Sequence, residues 1–186
     1  MEEAAQFVTG NAGPVGLDRV ARIDLPDRRI ADHIIRDLVR AVWADSSVAI
    51  YYYSIHSGTE GWRTIRPHAF AHDGYRWHTR AWCHEDNAYK DFVLGRIAKI
   101  RPAPDGGKAP PPDKEWRTRV TIRFQAHRDL TTVQRAALER DFGMERGVGT
   151  LRVRKALLFY TLVYLGLADA GTGPLRRLQL LKTPEA

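Results

Sequence analysis

The sequence predicts an α+β fold, in which an N-terminal helix and a small SH3-like or Sm-like β-barrel are followed by a small α/β domain. Between Arg63 and Ile97, three short runs rich in β-branched and aromatic residues are separated by turn-forming residues at 72–74 and 85–87. Such alternation of strands and turns is typical of a small antiparallel sheet. A stretch dense in proline and glycine, residues 103–115, separates this sheet from a second group of strand and helix patterns.

The chain divides into four predicted segments. Residues 1–24 have few periodic apolar positions, and we expect a mobile arm. Residues 25–102 contain a helix from Arg28 to Trp43 and the strands of the barrel. Residues 103–115 are predicted to be a linker, and residues 116–186 a C-terminal α/β domain.

Two features define the start of the barrel segment. Asp27 is placed to cap the first helix, which then has an apolar stripe at helical spacing. The run from Val48 to Ile55 is almost wholly apolar or aromatic, which favours a strand covered on both faces.

The C-terminal segment is predicted to alternate strands and helices. Thr131 and Gln134 have the spacing of a capping box, which starts a helix that ends at Gly143. The segment from Lys155 to Leu167 is apolar on nearly all sides, so either both sides are core or one side contacts a second copy of the chain. The predicted strands are residues 117–125, 149–153 and 175–181.

Composition indicates a basic globular protein. Of the 186 residues, 44% are apolar and 27% are charged, the net charge is +7 and the pI is near 9.8. This balance favours an anionic partner such as nucleic acid, a nucleotide or phosphate, and it fits a merely soluble basic surface equally well.

The compartment is predicted from cysteine use and from the absence of targeting signals. The single cysteine, Cys83, excludes an intrachain disulfide and fits a reducing environment. The N-terminus lacks a signal-peptide pattern, and no apolar run approaches the roughly 20 residues that a membrane helix needs. We therefore expect a soluble, cytoplasmic protein.

A cationic row is predicted on one face of the central strand. Alternation places Arg76, His78, Arg80 and Trp82 on the same side of that strand. Arginines there could bind phosphates while neighbouring aromatic rings stack on bases. The alternative is a solvated face whose cations pair with nearby carboxylates, which are Asp73, Glu85, Asp86 and Asp91.

No motif favours metal binding, a cofactor or catalysis. The histidines around Cys83 match neither CxxC pairs nor HExxH, and His84 points to the opposite face of a strand from Cys83. Neither a GxSxG elbow nor a glycine-rich phosphate loop is present in the sequence. We therefore expect a protein that is not an enzyme.

Several segments together resemble a known family. Tyr52-x-Ser54, the step from Arg63 to Pro67, Trp77 at the start of a strand, and the run from Asp91 to Ile97 resemble the WYL domain of bacterial transcriptional regulators. The Trp-Tyr-Leu triplet for which the family is named corresponds to Trp77-His78-Thr79 in this sequence. The residue pattern of the central strand, Arg76-Trp77-His78-x-Arg80-Ala81-x-Cys83, is similar to that of the subgroup that controls anti-phage defence operons.

This resemblance implies the small barrel and a sensor role, with a basic pocket for a nucleic-acid or nucleotide effector. It also implies a homodimer formed through the C-terminal region. Operator DNA would be bound only through an N-terminal winged helix-turn-helix domain, which is not recognisable in this chain. The ligand-binding residues predicted on this basis are Tyr52, Ser54, Arg66, His68, Trp77, His78, Arg80 and Arg96. Arg152 and Arg154 are added because they lie near the start of the apolar helix, where they either pair with carboxylates or bind an external anion.

Two other functions remain open from the sequence. The barrel could grip RNA or single-stranded DNA constitutively, or the chain could be a dimerisation scaffold without a ligand. Salt dependence distinguishes them, because phosphate contacts weaken steeply as salt is added.

Overall fold

The computed structural model describes residues 29–103, 109–168 and 178–181. The predicted mobile arm, residues 1–24, and part of the predicted linker lie outside these ranges. No helix within the described ranges has both the length and the apolar character needed to span a bilayer.

The first element is helix α1 (Asp32–Trp43), which buttresses the sheet. It begins later than predicted, because Ala31 has extended backbone angles and provides no side-chain cap. The predicted cap, Asp27, lies outside the described residues. Ile34 and Leu38 are buried one turn apart, so the apolar face of α1 packs against the sheet, as its periodicity predicted.

A five-stranded antiparallel sheet follows, in the order β4-β3-β2-β1-β5. The predicted turn stretches lie at the connections between β2 and β3 and between β3 and β4, where Gly74 and Asn87 have positive φ angles of 93° and 49°. The strands are β1 (Val48–Ser54), β2 (Thr59–His72), β3 (Trp77–Cys83), β4 (Ala88–Val93) and β5 (Ile97–Pro102).

The sheet is not closed into the predicted barrel. Strand β4 passes into β5 through a short 3-10 turn, Leu94–Arg96, and β5 then pairs with β1 on the far side of the sheet. The strands β4 and β5 therefore remain the two edges of the described sheet. A barrel would need hydrogen bonds between them.

The core of this domain lies between α1 and one face of the sheet. Ile50 and Ile65 are fully buried there beside Leu38, and Cys83 belongs to the same cluster. The opposite face of β3 and β4 is covered by elements from the second half of the chain. This cover positions the polar cluster described below.

The second half of the chain forms a small three-stranded sheet with helices, in the strand order β7-β6-β8. Thr131 caps its longer helix, and Gln134 returns the hydrogen bond, so the predicted capping box is confirmed. The elements are α2 (Lys114–Arg117), β6 (Arg119–Ala126), α3 (Thr132–Asp141), β7 (Gly149–Arg154), α4 (Leu158–Tyr164) and β8 (Leu178–Leu180).

Two predictions for this part differ from the structure. The predicted linker contains the start of α2, because the carboxylate of Asp113 accepts a hydrogen bond from the Trp116 backbone N–H and caps a short helix. The predicted helix from Lys155 to Leu167 is divided into a 3-10 turn, Lys155–Leu157, and the shorter helix α4.

Candidate anion-binding site

The cationic row on β3 centres on Arg80, whose side chain is only 5% exposed. Its Nε and Nη2 groups donate to the two carboxylate oxygens of Asp113 at 2.7 and 3.2 Å. Nη2 also donates to Glu115 at 3.0 Å. The sheet is thereby fastened to the start of α2 by a bidentate, charge-assisted contact.

A second set of contacts connects Arg80 to helix α4. Its Nη1 group donates to one oxygen of Asp91 at 3.4 Å, and the other oxygen of Asp91 accepts from the Tyr160 hydroxyl at 3.2 Å. Asp91 lies directly opposite Arg80 in the β3–β4 pairing. A continuous polar chain therefore runs from α2 through β3 and β4 to α4.

The titration behaviour of this chain follows from its burial and charges. Burial alone would raise the pKa of Asp113, but the hydrogen bonds and charge of Arg80 outweigh it and hold that pKa below its usual range. Burial and the negative charge of Asp91 raise the pKa of Tyr160. At neutral pH the guanidinium of Arg80 thus faces the ionised carboxylate of Asp113, and the Tyr160 phenol stays neutral.

Next to Arg80, His78 and Asp73 form a second buried pair. The Nε2 atom of His78 lies 2.8 Å from a carboxylate oxygen of Asp73, and both side chains are under 10% exposed, at 3% and 6%. Burial would raise the pKa of Asp73, but hydrogen bonds from His78 and from two backbone N–H groups lower it strongly. His78 and Arg80 are therefore paired with carboxylates, as the alternative interpretation of the sequence held. That interpretation also expected a solvated face, whereas these two side chains are buried.

A cavity of about 570 Å³ opens beside this chain. It brings together four of the predicted ligand-binding residues, which are Tyr52, Ser54, Arg80 and Arg96. Tyr160 of α4 also lines it, so both halves of the chain contribute. Among the described residues, no carboxylate pairs with Arg96, whereas Arg63 and Lys90 on the same cavity both contact Asp86, at 3.3 and 2.8 Å.

Tyr52 and Ser54 support the wall of this cavity. The Tyr52 hydroxyl accepts a hydrogen bond from the Val93 backbone N–H at 3.2 Å, and its ring packs edge-on against Phe92. The Ser54 hydroxyl accepts from the backbone N–H of Ser57 at 3.3 Å. Tyr52 therefore fixes the position of β4, while Ser54 presents a small polar group to the cavity.

The structure places the other predicted residues elsewhere. Arg66 forms a bidentate contact with Asp45, at 3.0 and 2.9 Å, and His68 lies 3.1 Å from Asp113 in a separate cavity that Arg66 also lines. Trp77 lies in another cavity, which shares Arg96 with the first. Their role in ligand binding stays a prediction.

The two arginines predicted in the C-terminal part, Arg152 and Arg154, do not line the cavity of about 570 Å³. Arg152 is exposed on β7. Arg154 donates to the Trp116 carbonyl at 2.7 Å and lies over the indole ring, 4.6 Å from its centre. Arg154 thus holds α2 against β7, and ligand binding by either arginine stays a prediction.

The sequence interpretation missed Asp113, Glu115 and Tyr160. The available signal was local: Asp113 follows three prolines and precedes Lys-Glu-Trp-Arg, which is a helix cap after a linker.

Within the described ranges, no group of three or more histidine, cysteine and acidic side chains could hold a metal ion. Burial raises the pKa of the Cys83 thiol to about 11.

Two family models match successive parts of this chain. The WYL domain family model matches residues 33–102. The family model described as BrxR transcriptional regulator, C-terminal dimerization domain, matches residues 119–185. Among solved structures, the proteasome accessory factor B/C (PafBC) of Arthrobacter aurescens covers 85% of this chain and 26% of that chain at 16% identity, with a TM-score of 0.38.

Similar curated proteins carry one name. The DNA-binding transcriptional repressor CapW of Escherichia coli (strain KTE188) is 38% identical over 142 residues, which is 76% of this chain and 48% of that protein. CapW of Pseudomonas aeruginosa is 36% identical over 150 residues, which is 81% of this chain and 50% of that protein. The chain therefore spans about half the length of the curated relatives it matches.

The two family matches define a chain in which a WYL domain precedes a dimerization domain. The chain belongs to the WYL family, and its C-terminal part is a dimerization domain of the BrxR kind. The family resemblance found in the sequence is thus confirmed.

Proposed function

We propose that this chain is the effector-sensing and dimerising part of a transcriptional repressor, and that it binds a nucleic-acid or nucleotide-like anion. The observation that supports this most directly is the cavity of about 570 Å³ that contains Ser54, Arg96 and Tyr160. Because the sheet and α4 both line it, a ligand there contacts both halves of the chain. Its role is non-catalytic, in keeping with relatives named as repressors.

The polar chain supplies a mechanism. An anion bound beside Arg96 and Arg80 brings negative charge close to Asp91, which already shares Arg80 with Asp113. Like charges in a half-buried cavity repel each other, so the anion competes with Asp91 for Arg80. Since Asp91 also accepts from Tyr160, binding loosens the contact between the sheet and α4.

The effector proposal is tested by titrating the protein with a labelled short single-stranded oligonucleotide, beside a matching duplex and a mononucleotide, at low and moderate salt. We expect saturation at one strand per protomer. Arg96→Ala should weaken binding at least tenfold, because it removes the guanidinium that lacks a carboxylate partner among the described residues. Ser54→Ala, which changes only this cavity, should also weaken it.

Arg119→Ala provides a matched control, because Arg119 is an exposed arginine on β6 away from the cavity. Affinity should change less than twofold in this variant. Equal affinities for the parent protein, Arg96→Ala and Ser54→Ala would contradict the placement of the effector in this cavity.

We further propose that helix α4 forms the dimer contact. Its inner residues, Leu158 and Leu162, pack on the core of the C-terminal domain. Phe159 and Val163 lie on the outer side and are 66% and 49% exposed. Adjacent exposed apolar side chains of this size favour burial against a second copy, in keeping with the dimerization family match.

Phe159→Lys should shift the monomer–dimer equilibrium at least tenfold toward monomer, because a lysine cannot be buried at an apolar contact without a partner. Light scattering across a concentration series measures this shift. Val133→Lys replaces an exposed apolar residue on α3, 79% accessible, and should leave the equilibrium unchanged. A dimer of undiminished affinity in Phe159→Lys would place the contact on another surface.

DNA binding belongs to the longer protein in this proposal. The relatives are named as DNA-binding repressors, and this chain covers only 48% and 50% of the length of two of them. We propose that operator DNA is bound through a further domain of the longer protein, and that the dimer sets the spacing of two such domains. A role in anti-phage defence and a cytoplasmic location stay predictions.

A second candidate function is constitutive binding of single-stranded nucleic acid, which the outer face of β1, β2 and β5 favours. Trp62 packs edge-on against Tyr51 with 5.6 Å between ring centres, and Arg101 lies 4.2 Å from the Trp62 ring centre. Aromatic rings beside cations suit stacked bases and phosphates. Strand binding that is steeply salt-dependent and insensitive to Arg96→Ala would favour this function.

A further inference from the structure

A larger cavity, of about 740 Å³, shares Arg96 with the cavity of about 570 Å³ proposed above for the effector, which is called the effector cavity here. The hairpin between β2 and β3 forms one wall, the 3-10 turn after β4 forms another, and the residues before α1 close it. Its volume lies within the range of small-molecule sites. The mechanism proposed above does not use this cavity.

The charges around the second cavity differ from those around the first. Three arginines line it, which are Arg29, Arg76 and Arg96, and no carboxylate of the described residues lines it. In the effector cavity, by contrast, Asp86 and Asp91 stand among the cations. Among the described residues, an anion beside Arg96 in the second cavity therefore meets no acidic side chain of the wall.

The nearest carboxylate, Asp73, is already occupied. It accepts from the backbone N–H groups of Tyr75 and Arg76, both at 2.8 Å, and from His78 at 2.8 Å. Its contact with the Arg76 guanidinium is longer, at 3.3 Å through Nε, and the Arg76 side chain remains 38% exposed. Arg76 is thus oriented by Asp73 and still reaches the cavity.

The second cavity also has an aromatic wall. Trp77 is 50% exposed, and its indole is held by an edge contact with His72, with 5.0 Å between ring centres. Tyr75, 53% exposed, lines the same cavity. A half-exposed indole beside arginines is the combination that recognises a flat ring attached to phosphate.

We propose that this second cavity is a separate nucleotide site, in which Arg76 and Arg96 bind the phosphates and Trp77 stacks on the base. The ligand class is a nucleoside diphosphate or a similar nucleotide, because the two guanidinium groups of Arg76 and Arg96 suit phosphates and the half-exposed indole of Trp77 suits a flat ring. The proposal is independent of the effector cavity, although Arg96 lines both.

Calorimetric titration of the full chain with adenosine diphosphate, inorganic pyrophosphate and adenosine tests the proposal. Adenosine diphosphate should bind more tightly than either inorganic pyrophosphate or adenosine. Trp77→Leu should weaken its binding about tenfold and leave pyrophosphate binding unchanged, since only the base contacts the indole. Arg76→Gln should weaken the binding of both phosphate ligands.

Two controls separate this site from the effector cavity. Trp43→Leu replaces a tryptophan that is 87% exposed at the end of α1 and should leave binding unchanged. Ser54→Ala, which alters only the effector cavity, should leave one adenosine diphosphate site per protomer with unchanged affinity. Unaltered affinity in Trp77→Leu, or loss of binding in Ser54→Ala, would overturn the second site.

Discussion

Replacing Arg80 with alanine should lower the free energy of unfolding by about 3–5 kcal/mol, the range measured when one partner of a buried ion pair is removed. Arg80 is 4% exposed, and its guanidinium is the main partner of Asp113, which is 6% exposed. Without Arg80 the Asp113 carboxylate remains buried and ionised among few other donors. Urea unfolding followed by circular dichroism measures the loss.

The same variant should lose most of its stability deficit at low pH. Because the pKa of Asp113 is lowered in the folded parent protein, its ion pair stabilises the fold fully above the unfolded pKa, ordinarily 3.8, and this contribution disappears as the pH falls through the lower folded value. The difference in stability between the parent and Arg80→Ala should therefore begin to shrink below about pH 4 and should close only once the pH lies below the folded pKa of Asp113. Convergence would assign the effect to charge rather than to packing.

Arg123→Ala on β6 is the matched control, because it removes an exposed arginine from a strand of the second sheet. It should change the free energy of unfolding by less than about 0.5 kcal/mol. Arg80→Lys should recover little of the free energy of unfolding lost in Arg80→Ala, since an ammonium cannot make the bidentate contact with Asp113. A loss below about 1 kcal/mol in Arg80→Ala would mean that water already solvates Asp113.

The parts of the fold that the sequence predicted well are local ones. The turns at 72–74 and 85–87 contain residues that tolerate positive φ, and the capping box of Thr131 and Gln134 needs only three residues of spacing. Barrel closure depends instead on hydrogen bonds between two edge strands. No residue pattern within one strand reports on that pairing, and here β5 pairs with β1.

The candidate site shows the same limit. Alternation correctly placed His78 and Arg80 on one strand face, but it could not tell what covers that face. The cover comes from Asp113, 33 residues away beyond a proline-rich stretch, and from Tyr160, 69 residues from Asp91. Contacts over such separations depend on tertiary packing, so the buried state of the cationic row could not be predicted from local spacing.

The second prediction concerns Gly149, whose substitution by alanine should destabilise the C-terminal sheet by about 1–3 kcal/mol. Gly149 starts β7 and lies directly opposite Phe124 of β6. A Cβ atom on Gly149 would fall closer than 3.0 Å to three carbon atoms of the Phe124 ring, a distance that real Cβ contacts essentially never show. The ring therefore occupies the space of a side chain.

Phe124 has little freedom to move aside. It is 2% exposed, belongs to the C-terminal core and packs edge-on against Phe142, with 6.0 Å between ring centres. Gly61→Ala is the control, because Gly61 also lies in a strand but has no atom within 4 Å of its added Cβ. That variant should be as stable as the parent to within about 0.5 kcal/mol in thermal and urea unfolding.

A smaller residue at position 124 should relieve the clash. If the ring is the obstacle, Phe124→Leu combined with Gly149→Ala should be destabilised by less than the sum of the two single variants, because leucine leaves room for the new Cβ. Strict additivity would show that the cost arises elsewhere, and a fully stable Gly149→Ala would mean that the Phe124 ring does not cover β7. Because α4 packs on this same core, the Gly149→Ala variant should also dimerise less strongly if α4 forms the dimer contact.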